Sequence, residues 1–144
     1  MASAAHLIIG DTTGSTPVEV SHLDIVMLEM QDGQLAHTNH FIVPHAGGIT
    51  PPVSSSDSTE RIARARALLS AAAASGEAPS VGAVEKMLED EQGLPGAINR
   101  KASEKIASET LFSIVMDLTR KTASVRVGRP TECEQTVFLN PLGL

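Results

Sequence analysis

The constraint that most limits this chain is a pair of apolar runs near its two ends, "LIIG" at Leu7–Gly10 and "FSIVM" at Phe112–Met116. Both are too short for a core helix, and neither alternates cleanly with polar residues, so each reads as a strand covered on both faces. Between them lie two stretches of helical character. The order strands, helices, strands predicts an α+β fold rather than alternating βαβ units.

Local signals fill in this frame. "VEVSH" (Val18–His22) alternates, and "DIVMLEMQDGQLAHTNHF" places Asp32-Gly33 between two strand-like runs, a hairpin signal. Strands are therefore expected near Leu7–Gly10, Val18–Ser21, Ile25–Met30 and Gln34–Phe41, in one antiparallel sheet. Residues 42–56, with three Pro and two Gly, read as a loop. In "DSTERIARARALLSAAAASG", Asp57 with Glu60 three residues on has a capping-box pattern, Ile62, Ala65, Leu69 and Ala72 form an apolar stripe, and Gly76 is the expected stop. A second helix is capped by Ser80 and ended by Gly93. "TLFSIVMDL" and "ASVRVG" form a hairpin through "TRKT", and "QTVFL" is a last short strand. Two helices cover only one face of such a sheet. Another chain, or sequence beyond this one, is expected to cover the other.

The chain has 144 residues, enough for one domain with a real core, and the 42% apolar content fits a folded chain. With three Phe and neither Trp nor Tyr, the core must be aliphatic and no platform exists for stacking bases. A net charge of -6 without a local basic cluster argues against nucleic acid as partner. The first apolar run ends at Asp11, too early for a membrane span. Cys133 is the only cysteine, which excludes a disulfide framework and fits a reducing, cytoplasmic setting.

Several motifs have competing readings. His37 and His40 have the H-x-x-H spacing of a metal pair on a helix, but on a strand they point to opposite faces, which favours scaffold over a small metalloprotein site. "GDTTGST" lacks the lysine of a phosphate loop and reads as a turn. Arg61, Arg64 and Arg66 crowd a helix start against its dipole. The simple reading is a solvated face paired with Glu60; the functional one has Arg61 facing negative charge. Cys133 has Arg129 as its one basic neighbour in sequence and no adjacent His, so it reads as structural.

Four segments, "HTNHF", "SSSDSTERIARARALL", "LPGAINR" and "TLFSIVMDLTRKTASVRVGRPTE", occur in an order that resembles the C-terminal part of the acyl-coenzyme A:6-aminopenicillanic acid acyltransferase family, also called isopenicillin N acyltransferase-like. These are cysteine N-terminal-nucleophile hydrolases. The resemblance runs from about His6 to about Leu139 and implies that residues 1–144 are a single partial domain, the C-terminal portion of an αββα sandwich. It implies acyl transfer or amide hydrolysis through a thioester, with an acyl-coenzyme A or an amide as small-molecule substrate and no cofactor. Asn39 matches the family asparagine that donates to the oxyanion, and Arg61 the arginine that holds charge near the nucleophile. Asn99 stands in "PGAINR", where family members commonly carry Cys or another small residue.

The expected nucleophile would lie upstream of "HLIIGD", where this sequence has no cysteine, and Cys133 is too near the end to replace it. The expectation is thus a truncated or partial enzyme, inactive alone, for which an upstream subunit is a candidate partner. The alternative is a non-catalytic binding or assembly protein that associates through its uncovered sheet face.

Overall fold

The computed structural model describes residues 5–50, 57–74, 76, 79–104 and 107–140. It is α+β, as the element order requires, with two separate three-stranded antiparallel sheets and two helices. The first sheet is a meander of β1 (Ala5–Gly10), β2 (Ser15–Val20) and β3 (Ile25–Met27). The second is a meander of β4 (Phe112–Asp117), β5 (Thr122–Val127) and β6 (Gln135–Leu139). Between them in sequence come α1 (Asp57–Ala73) and α2 (Val81–Leu88).

The short links explain the meanders. Asp11 Oδ1 accepts from the Thr13 and Gly14 backbone N–H groups at 2.7 and 3.1 Å, an Asx-type turn that reverses the chain between β1 and β2. Leu7 then pairs with Val18, and Ile9 with Thr16. In the second sheet Ile114 pairs with Val125, which in turn pairs with Val137. The sheets meet at the end of β1, where a Cβ on Gly10 would come within 2.8 Å of Leu118 Cδ1. Any larger residue there would force the Leu118 side chain to move.

The helices differ in how they are fixed. Ser80 caps α2, its Oγ accepting from the Ala83 backbone N–H at 3.2 Å, and α2 packs on β4. This helix ends at Leu88, five residues before the expected glycine stop, because the chain then turns through residues 89–99 to bring Asn99 N–H onto the Asp90 carbonyl at 2.9 Å. The first helix begins at Asp57 itself, whose carboxylate is paired with Arg100. Gly76, in the left-handed region at φ 74°, donates back to the Ala73 carbonyl just beyond the helix.

Two expectations need correction. Asp32 and Gly33 both have positive φ (51° and 71°), and Gln31 and Gln34 exchange two backbone hydrogen bonds, as in a type I′ turn. Yet Gln34–Phe41 is not a strand, and β3 stops at Met27 rather than Met30. Beyond Gln34 the backbone is held by side chains of β2 and α1 instead of by a ladder. The Pro/Ser-rich loop expected over 42–56 contains a 3₁₀ turn at Ala46–Gly48, and its residues 51–56 lie outside the described residues.

The apolar core is small. Val18, Leu28, Ile62, Ala97 and Val115 are its buried apolar side chains among the described residues, and Glu19, Asn99 and Arg129 are buried beside them. Conversely Ile8, Ile9, Phe112, Met116 and Phe138 are more than half exposed, Phe138 by 80%. Both sheets thus present an uncovered apolar face, as the doubly apolar runs predict. No helix among the described residues is long and apolar enough to cross a membrane.

Candidate functional site

The site grows from one buried carboxylate. Glu19, next to the last residue of the central strand β2, has no exposed surface. A carboxylate there must be saturated with donors or it would not stay charged. Its Oε1 accepts from Ile42 N–H at 2.6 Å and lies 2.6 Å from His37 Nε2, while Oε2 lies 2.9 Å from His45 Nε2. Burial pushes the Glu19 carboxyl up, but these three donors outweigh it and hold the group below the usual carboxylate range.

His45 continues the network outward. Its Nδ1 lies 2.6 Å from Asp24 Oδ1, so the imidazole bridges two carboxylates. The Asp24 bond, opposed by burial and helped by Glu19, raises His45 above the ordinary imidazole value. Asp24 is drawn down to about 2 by the Ser21 hydroxyl, by the Ala46 backbone N–H at 2.7 Å and by His45.

A second clamp comes from α1. Ser58 is buried one turn before Arg61 on the same helix face. Its Oγ accepts from the Asn39 backbone N–H at 2.9 Å and lies 2.8 Å from His40 Nδ1, and its carbonyl accepts from the Thr38 hydroxyl at 2.9 Å. Glu19 therefore holds residues 37 and 42 while Ser58 holds residues 38 to 40. The turn between them carries Asn39 at its exposed tip.

Arg61 completes the arrangement. Its Nη2 donates to Asn39 Oδ1 at 2.8 Å. Arginine has no acceptor, so this bond fixes the amide oxygen toward Arg61 and leaves the NH₂ on the other branch. No acceptor for that NH₂ lies among the described residues. The buried Arg61 Nε has no partner among them either. Asn39 borders a cleft of about 310 Å³ lined with Ala5, His6, His37, His40 and Phe41. His6 stacks on His37 with ring centroids 4.0 Å apart, and burial foremost holds both His6 and His40 below the ordinary imidazole value.

The two residues singled out in the sequence, Asn39 and Arg61, are thus in direct contact. His37 and His40 line one cleft while bonding separate partners, Glu19 and Ser58, and the strand alternation expected to part them is absent. No group of three or more His, Cys, Asp or Glu suited to a metal exists among the described residues. The three arginines do not form one solvated face: Arg61 reaches Asn39, and Arg64 makes a bidentate pair with Asp90 (2.6–3.1 Å) beyond α2.

Asn99 is structural in this setting. It is fully buried and donates from Nδ2 to Thr131 Oγ1 at 2.8 Å and Glu91 Oε1 at 3.2 Å, tying the 95–100 segment to the turn before β6. Cys133 has a basic neighbour that sequence distance hid. The Thr136 hydroxyl first, and Arg126 behind it, hold its thiol below the usual range.

Glu19, Asp24, His45 and Ser58 escaped the sequence reading. Alternation in "VEV" places Glu19 opposite two valines, which suggests a wet face. The available signal was a lone acid inside an apolar strand in a chain with five histidines.

Comparison with known proteins bears on what this cleft does. The family described as acyl-coenzyme A:6-aminopenicillanic acid acyl-transferase matches residues 1–132. The 40 kDa form of acyl-coenzyme A:6-aminopenicillanic-acid-acyltransferase from Emericella nidulans is 31% identical over 141 residues. That match covers 96% of this chain and 38% of the relative, so the chain spans well under half the relative's length.

Proposed function

Since the chain belongs to the acyl-coenzyme A:6-aminopenicillanic acid acyl-transferase family, we propose that residues 1–144 are the C-terminal portion of a cysteine N-terminal-nucleophile acyltransferase or amide hydrolase, with Asn39 as oxyanion donor. The observation that carries this reading is the Asn39–Arg61 contact. Arg61 orients the amide so that its NH₂, with no acceptor among the described residues, is available to a substrate oxygen at the cleft.

In the proposed reaction a cysteine thiolate from outside these 144 residues attacks an acyl carbonyl of an acyl-coenzyme A or an amide. A carbon–sulfur bond forms and the carbonyl oxygen becomes an oxyanion, which accepts from Asn39 Nδ2. Collapse expels the coenzyme A thiolate, or the amine as its nitrogen takes up the proton that the cysteine thiol gave up, and leaves a thioester, which an amine or water then resolves. The Arg61 guanidinium, bonded to Asn39 Oδ1, polarises the amide and strengthens its N–H donors. Cys133 does not serve as this nucleophile, since its sulfur sits beside β6 at 3.3 Å from the Gln135 carbonyl and 3.6 Å from the Thr136 hydroxyl. The uncovered apolar faces of the two sheets are where the remaining layers of an αββα sandwich would pack.

Those same faces favour the second reading, a binding or assembly protein without catalysis. Expression of the chain alone and together with its upstream coding sequence separates the two. Acyl transfer from acyl-coenzyme A only in the combined preparation, with a loss of about 10²–10³ in kcat for Asn39→Ala, supports the enzyme. A stable, defined oligomer of the chain alone, with no cysteine-bearing segment upstream, supports the assembly protein.

A further inference from the structure

We propose that Glu19 is a positioning residue for Asn39, and that the imidazole of His45, shared between Glu19 and Asp24, makes that positioning respond to pH. The inference rests on the reading of Asn39 as oxyanion donor, but it begins with hydrogen counts.

Carboxylates only accept. His45 faces one with each ring nitrogen, Asp24 at 2.6 Å and Glu19 at 2.9 Å, so both contacts are hydrogen bonds only while the ring carries two hydrogens. His37 likewise lies between two acceptors, Glu19 Oε1 at 2.6 Å and the Thr38 carbonyl at 2.6 Å. The interior therefore pairs two carboxylates with two imidazoles whose four nitrogens all point at acceptors.

Loss of one hydrogen from His45 sets a lone pair against Glu19 Oε2 or Asp24 Oδ1. Of the two, Asp24 keeps compensating donors in Ser21 and Ala46 N–H, while Glu19 Oε2 has no other donor among the described residues. The carboxylate of Glu19 must then turn, and Oε1 is the atom that fixes Ile42 N–H and His37 on either side of Asn39. The remaining groups facing the cluster are His6 from β1, stacked on His37, and His40, with Arg61 and Arg66 acting on His40 from α1. They adjust charge around the turn. None of them replaces a donor to Glu19.

The test follows the Asn39 side-chain NH₂ and the His45 ring by NMR in the 144-residue chain, from about pH 5 to 9. The expected result is an Asn39 amide resonance that moves with the same midpoint as His45. Glu19→Gln, which has one acceptor oxygen in place of two, should abolish that inflection and speed Ile42 amide exchange about tenfold or more. An Asn39 resonance that stays flat through the His45 titration in the folded wild-type chain overturns the proposal, even if Glu19→Gln does not fold. A merely structural Glu19 would change stability without coupling the two signals. If Asn39→Ala retains full acyl transfer in the combined preparation while the wild-type chain shows the coupling, the oxyanion reading fails and the positioning inference stands.

Discussion

Each of the two sheets buries one polar residue in its central strand: Glu19, next to the end of β2, and Ser124, third in β5. Both lie on the central strand of a three-stranded sheet, and the consequences differ. Ser124 donates one hydrogen bond, 2.6 Å long, to Glu85 on α2, which seats a helix already packed on β4. Glu19 accepts three, all from the chain between β3 and α1, and residues 34–45 have no strand to hold them there. A neutral hydroxyl adds a contact to a surface that apolar packing already defines. A buried charge obliges its surroundings to supply donors, and so dictates the path of the backbone around it.

Removal of each side chain is the strongest way to break this comparison. Glu19→Ala strands the His37, His45 and Ile42 donors in a dry interior and should cost about 3–5 kcal/mol, the range for breaking a buried charged group's pairing. Urea denaturation followed by far-UV circular dichroism reads it. A cost near that of a single neutral hydrogen bond would mean that water replaces Glu19, and the contrast between the sheets would lapse.

Raising the pH should loosen the first region by a smaller amount and not the second, where the lowered Cys133 thiol acts in the opposite direction. His45 is held above its ordinary value, so the stability it contributes is complete below the usual imidazole range and is lost as pH rises through the raised value. Glu19, Asp24 and Glu89 are held below their ordinary values, so their contributions are present above the usual carboxylate range and are lost on acidification. His6 and His40 are held low and run the other way, gaining stability as pH rises. A global melt would blur these signs. The protection factor of the Ile42 amide, corrected for intrinsic exchange, should fall on the alkaline side, while amides paired in β5 should hold.

Ser124→Ala should cost about 1 kcal/mol, the net value of one hydrogen bond, because Glu85 keeps access to water. Equal costs for Ser124→Ala and Glu19→Ala would show that position in the sheet, not charge, sets the penalty.

The same contrast explains what was legible in the sequence. The second region was read nearly whole: "FSIVM", the turn at "TRKT", the Ser80 cap and "QTVFL" each declare themselves within a few residues, and the structure keeps them. The first region was read only as far as the Asp32-Gly33 turn. From Gln34 on, the conformation depends on Glu19 and Ser58, which lie 18 residues before His37 and 18 after His40. Periodicity cannot see a strand pattern overruled by a distant carboxylate. Asn39 and Arg61 were found through the resemblance, and their contact joins a loop to a helix across 22 residues. Ser58 lies inside a recognised segment but nothing in that segment marks it as a partner of Asn39, and Glu19 lies outside all four segments, so only the fold reveals their part.

Asn39 itself should prove nearly dispensable for stability, which sharpens the comparison to its end point. Its side chain sits at the exposed tip of the turn, and the turn is held through the Asn39 backbone N–H and through its neighbours. Asn39→Ala removes the bond to Arg61 but strands no fully buried charge, since Arg61 is only partly buried. The expected change in unfolding free energy is within about 0.5 kcal/mol, as for surface substitutions generally. A residue clamped by Glu19 on one side and Ser58 on the other, yet worth little to the fold, is placed for a task outside the fold. A cost of several kcal/mol for Asn39→Ala would contradict this, and would make Asn39 one more member of the network that Glu19 organises.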